Sequence, residues 1–422
     1  MFEHKFYKGF NKFNKKKKVI FLIIRKQPGE VDWILPVLNN IKNKINIIVI
    51  FEKKISLELL KQNEVLYKIF LRSICCYFIN SNFKSFFSRV TSRLFEKLRV
   101  SKLELYFKNK VFEEYYNVNE LLEILNSKKI KVENNSIRIV MQDFTDNSPW
   151  SKKIERDFSN CRIISFPHST GVFSNKKNNY KIDKKKIYRN FLFLNNVYDI
   201  QNFKKKNILQ NIFICGYPKY EKKWLKKIEK TSLKSFNKKK DKNIIFVSYK
   251  GFDKSKYDKL EYTNQVKSLF DYVNNFKNYK LLFKFHPNAQ EEKVFLDIAK
   301  KHSKELWTIT KEHLYLAIKR SNVCLSFYSN ASLIDFLSCG KIPIELSNIF
   351  LQLSNESKSV YSKLGLCISL NNNIDLKRII NLTINEDKFL KKKLLKNYKK
   401  FQKIKNPIYV TSKKILEISN YK

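Results

Sequence analysis

The sequence predicts an α/β protein built as two Rossmann-like domains, each a doubly wound parallel sheet, facing one another across a cleft. Three observations lead there. Short, unbroken apolar runs alternate with segments of helical spacing along most of the chain, as strands buried on both faces and their crossover helices require. The alternation is broken by a lysine-dense stretch over 222–242. A chain of 422 residues with 43% apolar content is long enough to fill two cores of ordinary size.

The elements follow in order. After a basic leader, "VIFLII" (19–24) is a strand, "RKQPGEVDW" turns, "ILPVLNNIKN" has helical spacing, and "INIIVIF" (45–51) is a second, parallel strand. Further strands are expected at "SIRIVM" (136–141), "CRIISF" (161–166), "FLFL" (191–194) and "IFIC" (212–215), completing a first domain over 1–221. Between them, residues 54–125 mix aromatic and basic side chains at helical spacing and are expected to form a helical insertion. Its basic amphipathic face either packs on the domain or rests on anionic lipid. Residues 222–242, dense in lysine and poor in apolar side chains, are expected to be the interdomain linker. The second domain, 243–422, repeats the alternation: strands at 243–249, 280–285, 322–327 and 341–346, helices near 263–276, 291–302 and 332–339, and a lysine-rich helical tail from 375.

Charge narrows the partners without naming one. With 85 Lys and Arg against 38 Asp and Glu, the formal charge is +47. Such a chain repels itself unless anionic surfaces lie nearby. Nucleic acid is set aside, because the sequence has no zinc-ligand spacing, RNP-like run or helix-turn-helix signature; an anionic membrane surface is the remaining macroscopic partner. An AT-rich genome would also favour Lys, Asn, Ile, Phe and Tyr over Gly and Ala, and the lysine runs are scattered, so charge alone does not decide function. The seven cysteines form no CxxC or CxxH pair and sit mostly in apolar runs, as reduced core residues of a cytosolic protein do. No run of about 18 apolar residues is present, and the leader lacks the apolar centre of a signal peptide. The expected place is the cytoplasm, peripheral to the inner membrane face.

The rare residues mark the rim where ligands would bind. Seven glycines stand where average usage would give about thirty, and Gly29, Gly171, Gly216 and Gly251 each lie just beyond a predicted strand's carboxyl end, the binding edge of open α/β sheets. Of five histidines, His4, His302 and His313 are expected to be solvated. The other two, His168 in "FPHSTG" and His286 in "KFHPNA", each close a predicted strand, one in each half. Pro287 ends the strand and restricts the backbone so that His286 projects from the rim. In "SFYSNASLIDFLSCGKIP" (326–343), Ser329 and Ser332 flank Asn330 at a strand-to-helix turn. Ser332 is the expected N-cap, and Asp335 either its capping-box partner or a contact to a ligand hydroxyl. Amides at that helix start and two hydroxyls would suit an anion.

At this point the residues resemble a known group. "KFHP" with "YSNASLIDFLSCGKIPI" from Tyr328 resembles the HP and Ser/Thr motifs of bacterial GT-B glycosyltransferases that use cytidine nucleotides. These are the bacterial sialyltransferases, capsule-type Kdo transferases and, more loosely, the CDP-glycerol glycerophosphotransferases. The resemblance implies a GT-B fold with the donor phosphate held by His286, Ser329 and Ser332. "CGYPKY" (215–220) resembles the segment that precedes the linker in such enzymes, and "FPHSTG" their first-domain histidine loop, which makes His168 a candidate base. The acidic motif of the sialyltransferases, two carboxylates followed by glycine, is absent. Glu30 and Asp32 of "PGEVDW", or Asp143 and Asp146 of "MQDFTDNS", are the candidates in its place.

The chemistry points the same way. Glycosyl transfer needs charge stabilised on a departing phosphate and a proton removed from the acceptor hydroxyl. No DxD pair stands in a strand-end loop, so His286, the serines, helix amides and Lys250 beside Gly251 are expected to neutralise the phosphate without a metal or other cofactor. The expected activity is metal-independent transfer from a nucleotide sugar, with cytidine as the base, to a surface polysaccharide or lipid-linked glycan. The first domain would hold the acceptor and the second the donor. A CDP-glycerol-type polyol-phosphate transferase and a sugar-nucleotide epimerase are the alternatives.

Overall fold

A computed structural model of the chain describes residues 4–25, 28–79, 116–143, 148–167, 191–197, 200, 211–232, 243–249, 259–275, 278–286, 293–327, 330–346, 359–370, 380–381, 383 and 388–421. Two sheets organise them. The first has eight strands: β1 (Lys5–Lys8), β2 (Val19–Ile24), β3 (Asn46–Phe51), β4 (Cys76–Ile79), β5 (Ile137–Asp143), β6 (Arg162–Phe166), β7 (Phe191–Leu194) and β8 (Ile212–Ile214), in the order β1-β4-β3-β2-β5-β6-β7-β8. The second has six: β9 (Asn243–Tyr249), β10 (Tyr279–Phe285), β11 (Trp307–Ile309), β12 (Val323–Phe327), β13 (Pro343–Leu346) and β14 (Ile368–Leu370), in the order β11-β10-β9-β12-β13-β14. Every neighbouring pair is parallel except β1 with β4.

Parallel neighbours need crossovers, and helices supply them. Pro28–Ile41 joins β2 to β3, Pro149–Asp157 joins β5 to β6, Lys259–Asn275 joins β9 to β10, and Ser332–Ser338 joins β12 to β13. In each sheet the chain winds outward from a central strand, then returns to that strand's other side. Strand order therefore reverses between β2 and β5 in the first sheet and between β9 and β12 in the second, and it is there that a doubly wound sheet opens a crevice at its carboxyl edge. The central strands are the most apolar: all six residues of Val19–Ile24 and all six of Asn46–Phe51 are buried.

Four expectations need correction. The basic leader joins the first sheet: "KFYK" hides a strand of period two, and β1 pairs Phe6 with Phe78 and Tyr7 with Tyr77. The Tyr7 and Tyr77 rings stack at 4.9 Å. Gly9 then passes so close to the 74–75 backbone that a Cβ would stand 2.2 Å from the Ile74 carbonyl oxygen. His4, expected in water, is buried edge-on against Trp150 at 5.6 Å, and burial lowers its pKa to about 4.

The stretch 54–125 is not wholly an insertion. Helices Lys54–Lys61 and Glu64–Leu71 turn Leu57, Leu60, Leu66, Ile69 and Phe70 to the first core and lead into β4, which lies inside the sheet between β1 and β3. Residues 80–115, which carry most of the aromatic and basic face, lie outside the described residues. The first part of the expected linker is the helix Lys222–Thr231, whose Trp224, Leu225 and Ile228 join the first core. Finally, the lysine-rich tail divides. Lys388–Phe401 buries Leu394, Tyr398 and Phe401 in the second domain, the chain crosses over at 402–406, and Pro407–Asn420 packs Ile408, Ile415 and Ile418 into the first. The second crossing is held by Asn40 Nδ2 donating to Ser412 Oγ at 3.0 Å. Among the described residues, no helix is long and apolar enough to cross a membrane.

Candidate functional site

The rim of the second sheet is assembled from three strand ends. His286 follows β10, and its N–H donates to Tyr249 O at 2.8 Å, which ties it to the end of the central strand β9. Alternation along β10 turns Leu282 and Lys284 to one side of the sheet, away from Leu281, Phe283 and Phe285. Beyond β12, Asn330 Oδ1 accepts from Ser332 N at 2.8 Å and from the Ser332 hydroxyl, while Asn330 Nδ2 donates to Phe327 O at 3.1 Å. The Ser332 and Ser326 hydroxyls lie 3.3 Å apart.

Ser332 is therefore not the N-cap. It is the first helical residue, Ala331 holds the cap position, and the capping oxygen comes from Asn330, whose short amide reaches forward two residues. No capping box forms with Asp335 either, since Asp335 Oδ1 accepts from Lys219 Nζ at 3.0 Å. Pro287, Ser329, Lys250 and Gly251 lie outside the described residues.

In the first sheet, polar groups gather at the ends of β2, β3, β5 and β7. Arg25 pairs with Glu52 at 3.2 Å, and the Ser148 hydroxyl donates to Glu52. Trp33 Nε1 donates to Asn195 Oδ1 at 2.7 Å. Asp143 closes β5 beside Gln142, both buried, where strand order reverses. Glu30 is in the first turn of Pro28–Ile41, with its side chain outside the described set, as is the whole of His168.

The two rims meet where Asp32, a candidate from the sequence, finds partners that the sequence did not single out. His313, expected to be solvated, is buried and does two jobs. Its Nδ1 accepts from Tyr315 N at 3.2 Å, capping the helix Leu314–Arg320, and this leaves the ring proton on Nε2, 3.1 Å from Asp32 Oδ1 in the first domain. Burial alone would raise the Asp32 pKa. The His313 ring, with Lys219 and Lys284 behind it, outweighs burial and holds the carboxyl below its ordinary value. Lys284 donates to Glu312 O at 2.7 Å, and burial lowers its pKa to about 8 despite the carboxylates of Asp32 and Glu312. Lys219 is buried too, but Asp335 and Asp32 outweigh desolvation and keep it protonated.

One domain junction thus carries Asp32 and Asp335 against Lys219, Lys284 and His313, and its Lys284 amine can exchange a proton close to neutral pH. Lys284 left one trace in the sequence, as the lone charge inside "LLFKF" two residues before His286. Lys219 lies in "CGYPKY", noted only for its resemblance. His302, expected in water, stays partly exposed: its ring stacks on Phe270 at 4.6 Å, and its Nδ1 lies 2.9 Å from Asn274 Nδ2 in an exposed contact. Among the described residues, no three His, Cys, Asp or Glu side chains gather as a metal site would require.

No protein-family model matches the chain, and no curated protein matches it by sequence. Its fold does match solved structures along nearly its whole length. UDP-GlcNAc 2-epimerase from Neisseria meningitidis, bound to UDP-GlcNAc, is 13% identical with a TM-score of 0.55, covering 94% of this chain and 98% of that one. The UDP-GlcNAc 2-epimerase of Methanocaldococcus jannaschii, in complex with UDP-GlcNAc and UDP, gives 12% and 0.54 over 96% and 100%. Anabaena HepE, in complex with UDP and glucose, gives 8% and 0.52 over 96% and 100%. At these identities the likeness is one of fold: the paired parallel-sheet domains match the GT-B arrangement of those structures.

Proposed function

We propose that the chain is a GT-B glycosyltransferase that moves a sugar from a nucleotide sugar to a glycan or lipid-linked glycan acceptor. The observation that carries this reading is the position of His286, tied by its N–H to Tyr249 at the strand-order reversal of the second sheet. Asp143 occupies the matching reversal point of the first sheet. In the reaction, an acceptor hydroxyl oxygen bonds to the anomeric carbon, the bond from that carbon to phosphate oxygen breaks with its electron pair, and the hydroxyl proton passes to a base. His286 and Ser332, with Lys250, Gly251, Pro287 and Ser329 of the same motifs, take the leaving phosphate. His168, Asp143 and Glu30 are the candidate bases. Lys284, with its pKa lowered to about 8 by burial, adds an amine that can carry charge or a proton at the junction.

The HP and Ser/Thr motifs favour a cytidine nucleotide, whereas the neighbours in fold were solved with UDP or UDP-GlcNAc. A surface polysaccharide is the acceptor that suits a basic protein working at the inner membrane face. A second reading, epimerisation of the sugar while it stays on its nucleotide, draws on the fold likeness to the UDP-GlcNAc 2-epimerases.

Thermal unfolding against CMP, CDP, UDP and GDP tests the nucleotide, since a ligand at one hundred times its dissociation constant stabilises by about 2.7 kcal/mol. The matching nucleotide sugar is then incubated with and without membrane glycan acceptors. Nucleotide release that requires acceptor supports transfer; an epimerised nucleotide sugar formed without acceptor supports the second reading. Failure of all four nucleotides to stabilise the chain sinks both.

A further inference from the structure

A cavity of about 900 Å³ is walled by residues other than His286, Asn330 and Ser332. Its wall includes Leu337, Ser338 and Gly340, at the end of the helix Ser332–Ser338 that begins near the ligand rim. The chain crosses between domains beside it twice, at Gly216–Lys222 and again at Gln402–Pro407. Gly216, at φ 74°, makes the close approach possible: a Cβ there would lie 2.9 Å from Ile404 Cβ.

The lining is basic in an organised way. Lys222, Lys388, Lys391, Lys392, Lys396 and Lys399 all face the cavity, five of them from one helix at spacings of three and four that form a single stripe. Opposite that stripe, Leu394, Tyr398 and Phe401 are buried in the core. Like charges at such spacings weaken a helix by mutual repulsion. Among the described residues of the lining, Glu221 is the one carboxylate, and its Oε2 already accepts from Ile408 N at 2.9 Å. Lys222 and Pro407, each the first residue of a helix of ten residues or more, bring two positive helix ends to the same wall. The lining is also aromatic and apolar: Tyr217, which stacks on Phe401 at 5.5 Å, contributes to it with Tyr220, Tyr398 and Leu395.

We propose that this cavity is a second binding site, for a phosphate-bearing ligand with an apolar or planar body, distinct from the nucleotide-sugar rim. Its volume falls in the range of small-ligand sites, and its rim is open to solvent. Phosphate chemistry of this kind comes either from a soluble phosphate ester or from an anionic lipid headgroup. The inference does not depend on which reaction runs at the rim.

Calorimetry with inorganic pyrophosphate, and flotation with phosphatidylcholine vesicles with or without phosphatidylglycerol, test it on the full chain. Lys392→Glu with Lys396→Glu, both exposed and therefore compatible with folding, should weaken pyrophosphate about tenfold or more, as loss of charge-assisted hydrogen bonds does. Lys393→Glu with Lys400→Glu, the same charge change on the same helix outside the lining, should bind like the parent. Flotation that needs phosphatidylglycerol, and that pyrophosphate and the cavity variant both abolish, assigns the site to a lipid headgroup; pyrophosphate binding without flotation assigns it to a soluble ester. The proposal is overturned if the parent binds neither probe, or if the cavity and control variants lose binding equally.

Discussion

Asp32 and His313 stand 281 residues apart in sequence, yet Asp32 Oδ1 and His313 Nε2 lie 3.1 Å apart across the two domains. The contact joins the first helix of one sheet to the helix that follows β11 in the other. It sets the two carboxyl-edge rims face to face, and it brings Lys284 and Lys219 within the field of the same carboxylate.

A double-mutant cycle measures that contact. Asp32→Asn and His313→Gln should each destabilise the chain, with a coupling of about 1.5–3 kcal/mol, the usual worth of a hydrogen bond to a charged group. The pKa of Asp32 is depressed, so its contribution is complete above the ordinary carboxylate range and lost as pH falls through the folded value. Additive effects in urea unfolding at neutral pH would show that the pair is not energetically joined.

The two rim histidines should separate binding from turnover. His286→Ala should lower nucleotide affinity by one to two orders of magnitude, through loss of a charge-assisted bond worth about 1.5–3 kcal/mol. His168→Ala should bind nucleotide nearly as the parent does and lose about 10² to 10⁴ in rate. Calorimetric titration and turnover of both variants decide it. The opposite pattern would exchange the donor and acceptor sides.

Lys284 offers a pH signature. Because burial lowers its amine to about 8, nucleotide affinity or kcat/KM should bend near that pH. In Lys284→Arg, whose side chain stays charged, the bend should vanish. Stability supplies an independent check: the cost of charging a buried amine applies below about pH 8 and is relieved as pH climbs towards the unfolded value of 10.5. Lys284→Met should therefore gain most over the parent near neutrality and less in alkali. A gain that does not vary with pH would remove Lys284 as a titrating group.

Transfer should survive excess EDTA. The expectation comes from the missing DxD pair and from a phosphate site of histidine, lysine and hydroxyl groups. Complete loss of activity, restored by manganese, would count decisively against that site.

The first domain should be sensitive to acid through His4. Its folded pKa, near 4, lies below the unfolded 6.5, so the unfolded chain binds more protons between those values and stability falls as pH drops through them. A shift of that size is worth about 3 kcal/mol at most. His4→Phe should flatten the loss between pH 6.5 and 4 in chemical unfolding. An unchanged slope would mean that His4 is not the group responsible.

Sequence alone determined the two-sheet plan and the rim position of His286. Burial on both faces forces an unbroken apolar run, so Val19–Ile24, Asn46–Phe51 and Asn243–Tyr249 are legible from composition. A strand end followed by proline is likewise a local feature. Short strands such as Lys5–Lys8, Trp307–Ile309 and Ile368–Leu370 are not legible, because half-exposed residues leave little apolar signal and only the neighbouring strand makes them strands. The tail Pro407–Asn420 looked like part of the second domain because sequence order says nothing of which core an apolar stripe will fill. Tertiary structure also decided the charges at the junction. Asp32 meets His313 from 281 positions away and Lys219 meets Asp335 from 116, and the burial that lowers Lys284 comes from the packing of both domains. The energy of a charge depends on its distance to other charges and on the water removed around it, and both exist only once the chain has folded.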